Sequence, residues 1–99
     1  MQILAIERAV PGIPPERFTA ELSAAEARRV WDLHQQGAIR ELFFREDQPA
    51  AVLILESADV AEAQTVLASL PLVAAGLIDF ELIPLRAYAG FARLFEPRT

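Results

Sequence analysis

Ninety-nine residues, 54% of them hydrophobic and carrying a net charge of −5, are enough for one domain with a single core and too few for two. The chain has no cysteine and no lysine, which excludes disulfides, thiolate nucleophiles, cysteine-held metals and Schiff-base chemistry. The acidic balance and the lack of a basic cluster speak against a nucleic-acid surface, and the longest uncharged stretch, 63–78, is broken by Pro71 and Gly76 and is shorter than the roughly 20 apolar residues that span a bilayer.

Gln2–Arg8 reads as a strand; its apolar run stops at Glu7, unlike a signal peptide, so a cytoplasmic location is expected. Pro11–Pro15 forms a rigid turn, and a helix follows that runs to Gln36 and stops at Gly37, a residue suited to the left-handed position after a helix end. The helix start has two readings. One is Pro15; the other is Ser23, because Ser23-x-x-Glu26 is a capping-box pattern. Ile39–Arg45 and Ala50–Glu56 are predicted strands joined by the polar turn Glu46–Pro49. Asp59-x-x-Glu62 opens a second helix, with Val60, Ala63, Leu67 and Leu70 on one face and Pro71 as its end. Leu77–Leu85 is the last strand, followed by a tail with Tyr88, Phe91, Leu94 and Phe95 at helical spacing.

The order β-α-β-β-α-β predicts an α+β, ferredoxin-like domain over 1–99: a four-stranded antiparallel sheet with two helices on one face. The strands add a second inference. Ala51–Leu55 and Ile3–Ile6 are apolar on both faces, so both faces of the sheet should be covered, and a symmetric homodimer with its sheets face to face supplies the second cover. The apolar tail, 87–99, is expected to dock on the partner subunit.

With lysine and cysteine absent and His34 the lone histidine, carboxylates and arginines carry whatever chemistry the domain performs, and neither a metal nor another cofactor is expected. Glu26 lies about 40° from Leu22 and about 20° from Leu33 on a helical wheel, which sets a carboxylate inside the apolar stripe that faces the sheet. It is a candidate general base or acid; the competing reading is a capping box with Ser23 or an ion pair with Arg29 or Arg40. Arg40 and Glu41 are consecutive on a strand and should point to opposite faces, with Arg40 sharing the cleft and able to clamp a carboxylate, or else paired with Asp79 or Glu81. Glu41 is the second catalytic candidate, Arg29 a second anchor, and Tyr88 a residue that could close a cleft from either subunit. Glu41, Glu7 and Glu56 fall in phase with the apolar Phe43, Ala5 and Ile54 and could line the barrel interior, with solvation at the sheet ends the expectation for Glu7 and Glu56. His34 and Trp31 point away from the stripe, His34 towards solvent and Trp31 towards the tail or a partner.

Glu26, Leu33, Gly37, Arg40 and the segment Leu70-Pro71-Leu72 resemble the pattern of the muconolactone delta-isomerases. The resemblance implies the dimeric α+β barrel, with dimers that can assemble further, and a cofactor-free isomerase that moves a proton next to a carbonyl in a small anionic organic acid or lactone of aromatic catabolism. Glu26 would carry the proton and Arg40 would hold the carboxylate. The chain departs from the family pattern after the arginine, where Glu41-Leu42-Phe43-Phe44 replaces His-Leu-Trp-Arg. Two further readings stand beside the isomerase: a binding or structural dimer that keeps the barrel without the chemistry, and, more weakly, an oxygen-using monooxygenase of the same superfamily.

Overall fold

The computed structural model describes residues 1–97. Its elements are β1 (Gln2–Ala9), α1 (Ala20–Gln35), β2 (Ile39–Phe44), β3 (Ala51–Glu56), α2 (Val60–Ala68), α3 (Pro71–Ala74) and β4 (Ile78–Pro84), in one sheet of order β2-β3-β1-β4 with every pairing antiparallel. The two central strands are the first and third, and each crossover carries helix, which is the ferredoxin-like arrangement expected from the element order.

The helices cover one face. Ile3, Ala5, Leu53, Leu55, Ile78 and Phe80 project from the strands into a core closed by Leu33 of α1, Ala63 and Leu67 of α2, and Leu70. The alternate positions Leu4, Ile6, Val52 and Ile54 point the other way and are only half-buried, so the second face of the sheet is apolar but carries no layer of its own chain.

Local chemistry sets the helix ends, and it corrects two boundaries. Pro14 and Pro15 open a separate 3-10 turn, Pro15–Arg17, and α1 starts after Thr19, whose hydroxyl accepts from the Leu22 N–H at 3.1 Å. Ser23 therefore lies inside the helix, its own N–H donating to the Thr19 carbonyl, and caps nothing. Pro71 begins α3 rather than merely ending α2, because a first-turn residue needs no N–H partner. At the far end of α1, Gly37 takes φ +84°, with Gly37 N–H donating to His34 O and Ala38 N–H to Leu33 O, the double bond pair of a Schellman ending. Asp59 caps α2 as expected, accepting from Glu62 N–H at 2.8 Å, while Glu62 accepts from Ala58 N–H.

Strand β2 breaks the expected alternation. Ile39 pairs with Leu55 and Glu41 with Ile54, so Arg40 is the extra residue of a bulge. Ile39 faces the helices, Glu41 faces the open side, and beyond them Leu42, Phe43 and Phe44 all remain exposed on an edge strand. After β4 the tail forms a 3-10 turn, Gly90–Leu94, in which Tyr88 and Phe91 meet edge to face with ring centroids 5.1 Å apart. The tail stands away from the domain: the molecule measures 65 × 28 × 22 Å, and its radius of gyration of 16.9 Å exceeds the roughly 13 Å of a compact chain of this length.

Candidate functional site

Glu26 is held between α1, α3 and the sheet. Its Oε1 accepts from the Leu72 N–H at 3.0 Å, so the carboxylate caps the first turn of α3. Neither of the expected partnerships, with Ser23 or with an arginine, forms. Burial lifts its pKa above the usual carboxylate value, the Leu72 hydrogen bond pulls it down by less, and the charge of Glu7 raises it further. Glu7 is not solvated at a sheet end. It faces the helices opposite Phe80, half-buried, with Oε1 accepting from the Ala51 N–H at 3.0 Å. Two carboxylates are thus each tied through one oxygen to a backbone N–H in the same interlayer region. The phase of Glu26 was visible in the sequence, whereas its union with Glu7 was not, because it joins residues nineteen positions apart through tertiary packing.

One helical turn further along α1, about 4.5 Å in rise, stands Arg29. Its Nε donates to Ser69 Oγ at 3.0 Å, and Ser69 donates in turn to Val66 O at 2.6 Å, which ties the guanidinium to the end of α2. Arg29 and Arg40 both line a groove of about 520 Å³ between α1 and α2, over an apolar floor of Leu33, Ala38 and Val66. The bulge turns Arg40 to this position, and its guanidinium packs 3.8 Å from where a Cβ on Gly37 would stand. Among the described residues neither arginine has a carboxylate within ion-pair distance, whereas Arg8 and Arg45 are taken by Asp79 and Asp47. Arg40 does not meet Asp79 or Glu81, because β2 and β4 are opposite edges of the sheet. Two glutamates on the groove wall are already engaged, Glu56 with the Met1 ammonium and Glu62 with Ala58 N–H. The groove therefore presents two guanidinium groups to an anion.

The structure does not gather all the candidates. Glu26 is outside the arginine groove, on the Arg29 side of it. Glu41 opens onto the other face of the sheet, and Tyr88 is 71% exposed on the projecting tail, so neither reaches Glu26 or Arg40 within one chain. His34 is exposed, yet Nδ1 lies 2.8 Å from the Ile39 carbonyl; since a carbonyl only accepts, Nδ1 carries the proton. Trp31 is 57% exposed. A second groove, between α2 and β4, is lined by Leu67, Phe80 and Leu82 and contains none of the candidates. Among the described residues no three metal-ligating side chains come together, and no helix is long and apolar enough to cross a membrane.

Sheet order, helix placement and core define a ferredoxin-like α+β domain. Within that class the chain belongs to the muconolactone delta-isomerase family, which it matches over residues 3–90. It superposes on a crystal structure of muconolactone isomerase with a TM-score of 0.71 at 21% identity, covering 90% of this chain and 92% of that one. It also superposes on 5-chloro-2-hydroxyhydroquinone dehydrochlorinase of Burkholderia phenoliruptrix AC1100, in complex with 2,5-dihydroxybenzoquinone, with a TM-score of 0.68 at 17% identity over 91% and 98% of the two chains. At these identities the likeness is one of fold. No curated protein sequence matches the chain. The residues that carried the resemblance in the sequence prove to be paired in space: Glu26 with Leu72, Gly37 with Arg40, and Leu33 with Leu70 in one core.

Proposed function

We propose that this protein is a cofactor-independent isomerase that shifts a proton beside a carbonyl in a small anionic lactone or organic acid. The observation that carries the reading is a half-buried carboxylate, Glu26, one helical turn from a fixed guanidinium, Arg29, that has no carboxylate of its own. A base that takes a proton from carbon works best when its pKa approaches the working pH, and burial moves Glu26 in that direction. In this reading Glu26 accepts a proton from the far carbon of the conjugated system. The electron pair passes through the double bond to the carbonyl as a dienolate, and the carboxyl, whose proton exchanges with water, returns one at the carbon next to the carbonyl, which leaves the double bond shifted and the enzyme unchanged. Arg29 and Arg40 hold the substrate carboxylate, with Glu26 one helical turn from Arg29 on α1.

The apolar open face of the sheet supports a homodimer built sheet to sheet, in which Glu41 lies at the interface rather than beside Glu26. One observation favours the non-catalytic alternative: Glu26 already serves α3 as a cap. A thermal-shift screen of small lactones and carboxylic acids separates the two readings, since a ligand that binds the native state raises its melting temperature. Stabilisation by anionic lactones that disappears in Arg40→Ala supports the enzyme; the absence of any stabilising acid or lactone favours the structural barrel.

A further inference from the structure

Strand β1 carries an acid where its pattern calls for an apolar residue. Alternation sends Ile3, Ala5 and Glu7 to the helix side; the first two are fully buried, and Glu7, half-buried, stands opposite Phe80 of β4. A carboxylate turned into an apolar layer costs free energy unless its oxygens find donors. Among the described residues Oε1 alone has one, the Ala51 N–H at 3.0 Å, which is open to it because the β1–β3 ladder stops at Ile6 and Val52. Glu26, across the layer, repeats the arrangement with its Oε1 on the Leu72 N–H. Two half-buried carboxylates are thus each pinned by one oxygen, and among the described residues neither is ion-paired.

The surroundings of Glu26 leave Glu7 as the charge that bears on it. Of the α1 positions one turn away, Leu22, Ser23, Arg29 and Val30, Arg29 alone is charged, and it is turned to Ser69. The α3 segment, Pro71–Ala74, has no titratable side chain, and the one charged residue of α2, Glu62, bonds the Ala58 N–H at the far end of that helix. At this end of the sheet the other helix-facing side chains, Phe44, Ala51, Ile78 and Phe80, are apolar, and Glu16 and Arg17 of the turn before α1 are exposed.

We propose that Glu7 is a positioning residue for Glu26: a carboxylate fixed across the layer whose negative charge makes Glu26 the stronger base, while Glu26 alone meets the substrate. Its use in turnover rests on the isomerase reading above; the coupling of the two carboxylates does not. When Glu26 takes the proton from the far carbon, a C–H bond breaks, an O–H bond forms at Oε2, and the electron pair leaves with its negative charge for the carbonyl of the substrate. Glu7 favours that transfer, because two like charges in one partly buried region become one. The same repulsion adds to burial in raising the pKa of Glu26.

Glu7→Gln keeps the side-chain volume and an acceptor for the Ala51 N–H and removes the charge, so a residue that merely finishes the strand end predicts no effect on Glu26. The measurement is the titration of the Glu26 carboxyl carbon by carbon NMR on full-length protein labelled in its glutamates, with the signal assigned as the one missing from Glu26→Gln. Glu26 should titrate at lower pH in Glu7→Gln than in the parent, and Glu7→Asp, which keeps the charge but draws it back by one methylene, should lie between the two. Glu81→Gln removes a charge from the open face of the same sheet and should leave the titration in place. An unmoved or raised titration in Glu7→Gln, a larger drop in Glu7→Asp than in Glu7→Gln, or an equal drop in Glu81→Gln would overturn the proposal. The titration needs no substrate, so a protein that turns over no lactone yet shows the shift loses the isomerase reading and keeps the coupled carboxylates, whereas turnover with an unmoved titration does the reverse.

Discussion

Replacing Glu26 by alanine and by glutamine separates its two jobs, capping and ionisation. Alanine leaves the Leu72 N–H, 3.0 Å from Glu26 Oε1, without its acceptor in a partly buried place. Losing a hydrogen bond of this type costs about 1–3 kcal/mol, and in a domain of this size each kcal/mol is worth about 4–8 °C in melting temperature. Glu26→Ala should therefore melt at least about 4 °C below the parent. Glutamine keeps an Oε1 acceptor and removes the charge. Since burial raises the folded-state pKa of Glu26 above its unfolded value, the native state prefers the protonated carboxyl, and that contribution is full at acid pH and is lost as the pH rises through the folded pKa. Glu26→Gln should match the parent below the ordinary carboxylate range and become the more stable of the two at neutral and alkaline pH. Thermal unfolding followed by circular dichroism from acid to alkaline pH reads both effects. Equal losses for alanine and glutamine at neutral pH, or a glutamine variant whose advantage grows on acidification, would refute the reasoning.

Arg40→Ala should raise KM for an anionic lactone about 10-fold or more and leave kcat nearly unchanged, because it removes a charged anchor made equally in ground and transition states; steady-state kinetics decides this. Gly37→Ala forces a Cβ into φ +84° and should cost about 1–2 kcal/mol, visible as a lower urea midpoint with an unchanged slope. Ile54→Arg, on the open face next to Glu41 of β2, should leave the fold intact and produce monomers in sedimentation velocity; a dimer of parental strength would remove the sheet-to-sheet interface.

Much of the fold was legible because local and global signals agree. Turn residues, apolar period and the Asp59 cap mark the elements, and the two-sided apolar pattern of Ala51–Leu55 matches a central strand whose Val52 and Ile54 look away from the helices. The errors are equally physical. Ser23-x-x-Glu26 satisfied the capping pattern, yet Thr19 won because the Pro14–Pro15 turn delivers the chain to the helix there. The bulge at Arg40 has no signature in Ile39-Arg40-Glu41, yet Arg40 and Glu41 lie on opposite sides as alternation expects, Arg40 on the groove and Glu41 on the open face. The site was half legible: the wheel placed Glu26 in the stripe, but Leu72, Glu7 and Ser69 reach Glu26 and Arg29 only through long-range packing that no spacing rule records.

The central claim is that Glu26 moves a proton on carbon, and the most direct measurement is proton–deuterium exchange. Muconolactone incubated with the protein in D₂O and followed by NMR should acquire deuterium at the carbon beside its carbonyl. Glu26→Gln should still bind the lactone, as judged by its thermal shift, and should incorporate none above the uncatalysed rate. Parental exchange by Glu26→Gln, or no exchange by a parent protein that binds the lactone, would contradict the account.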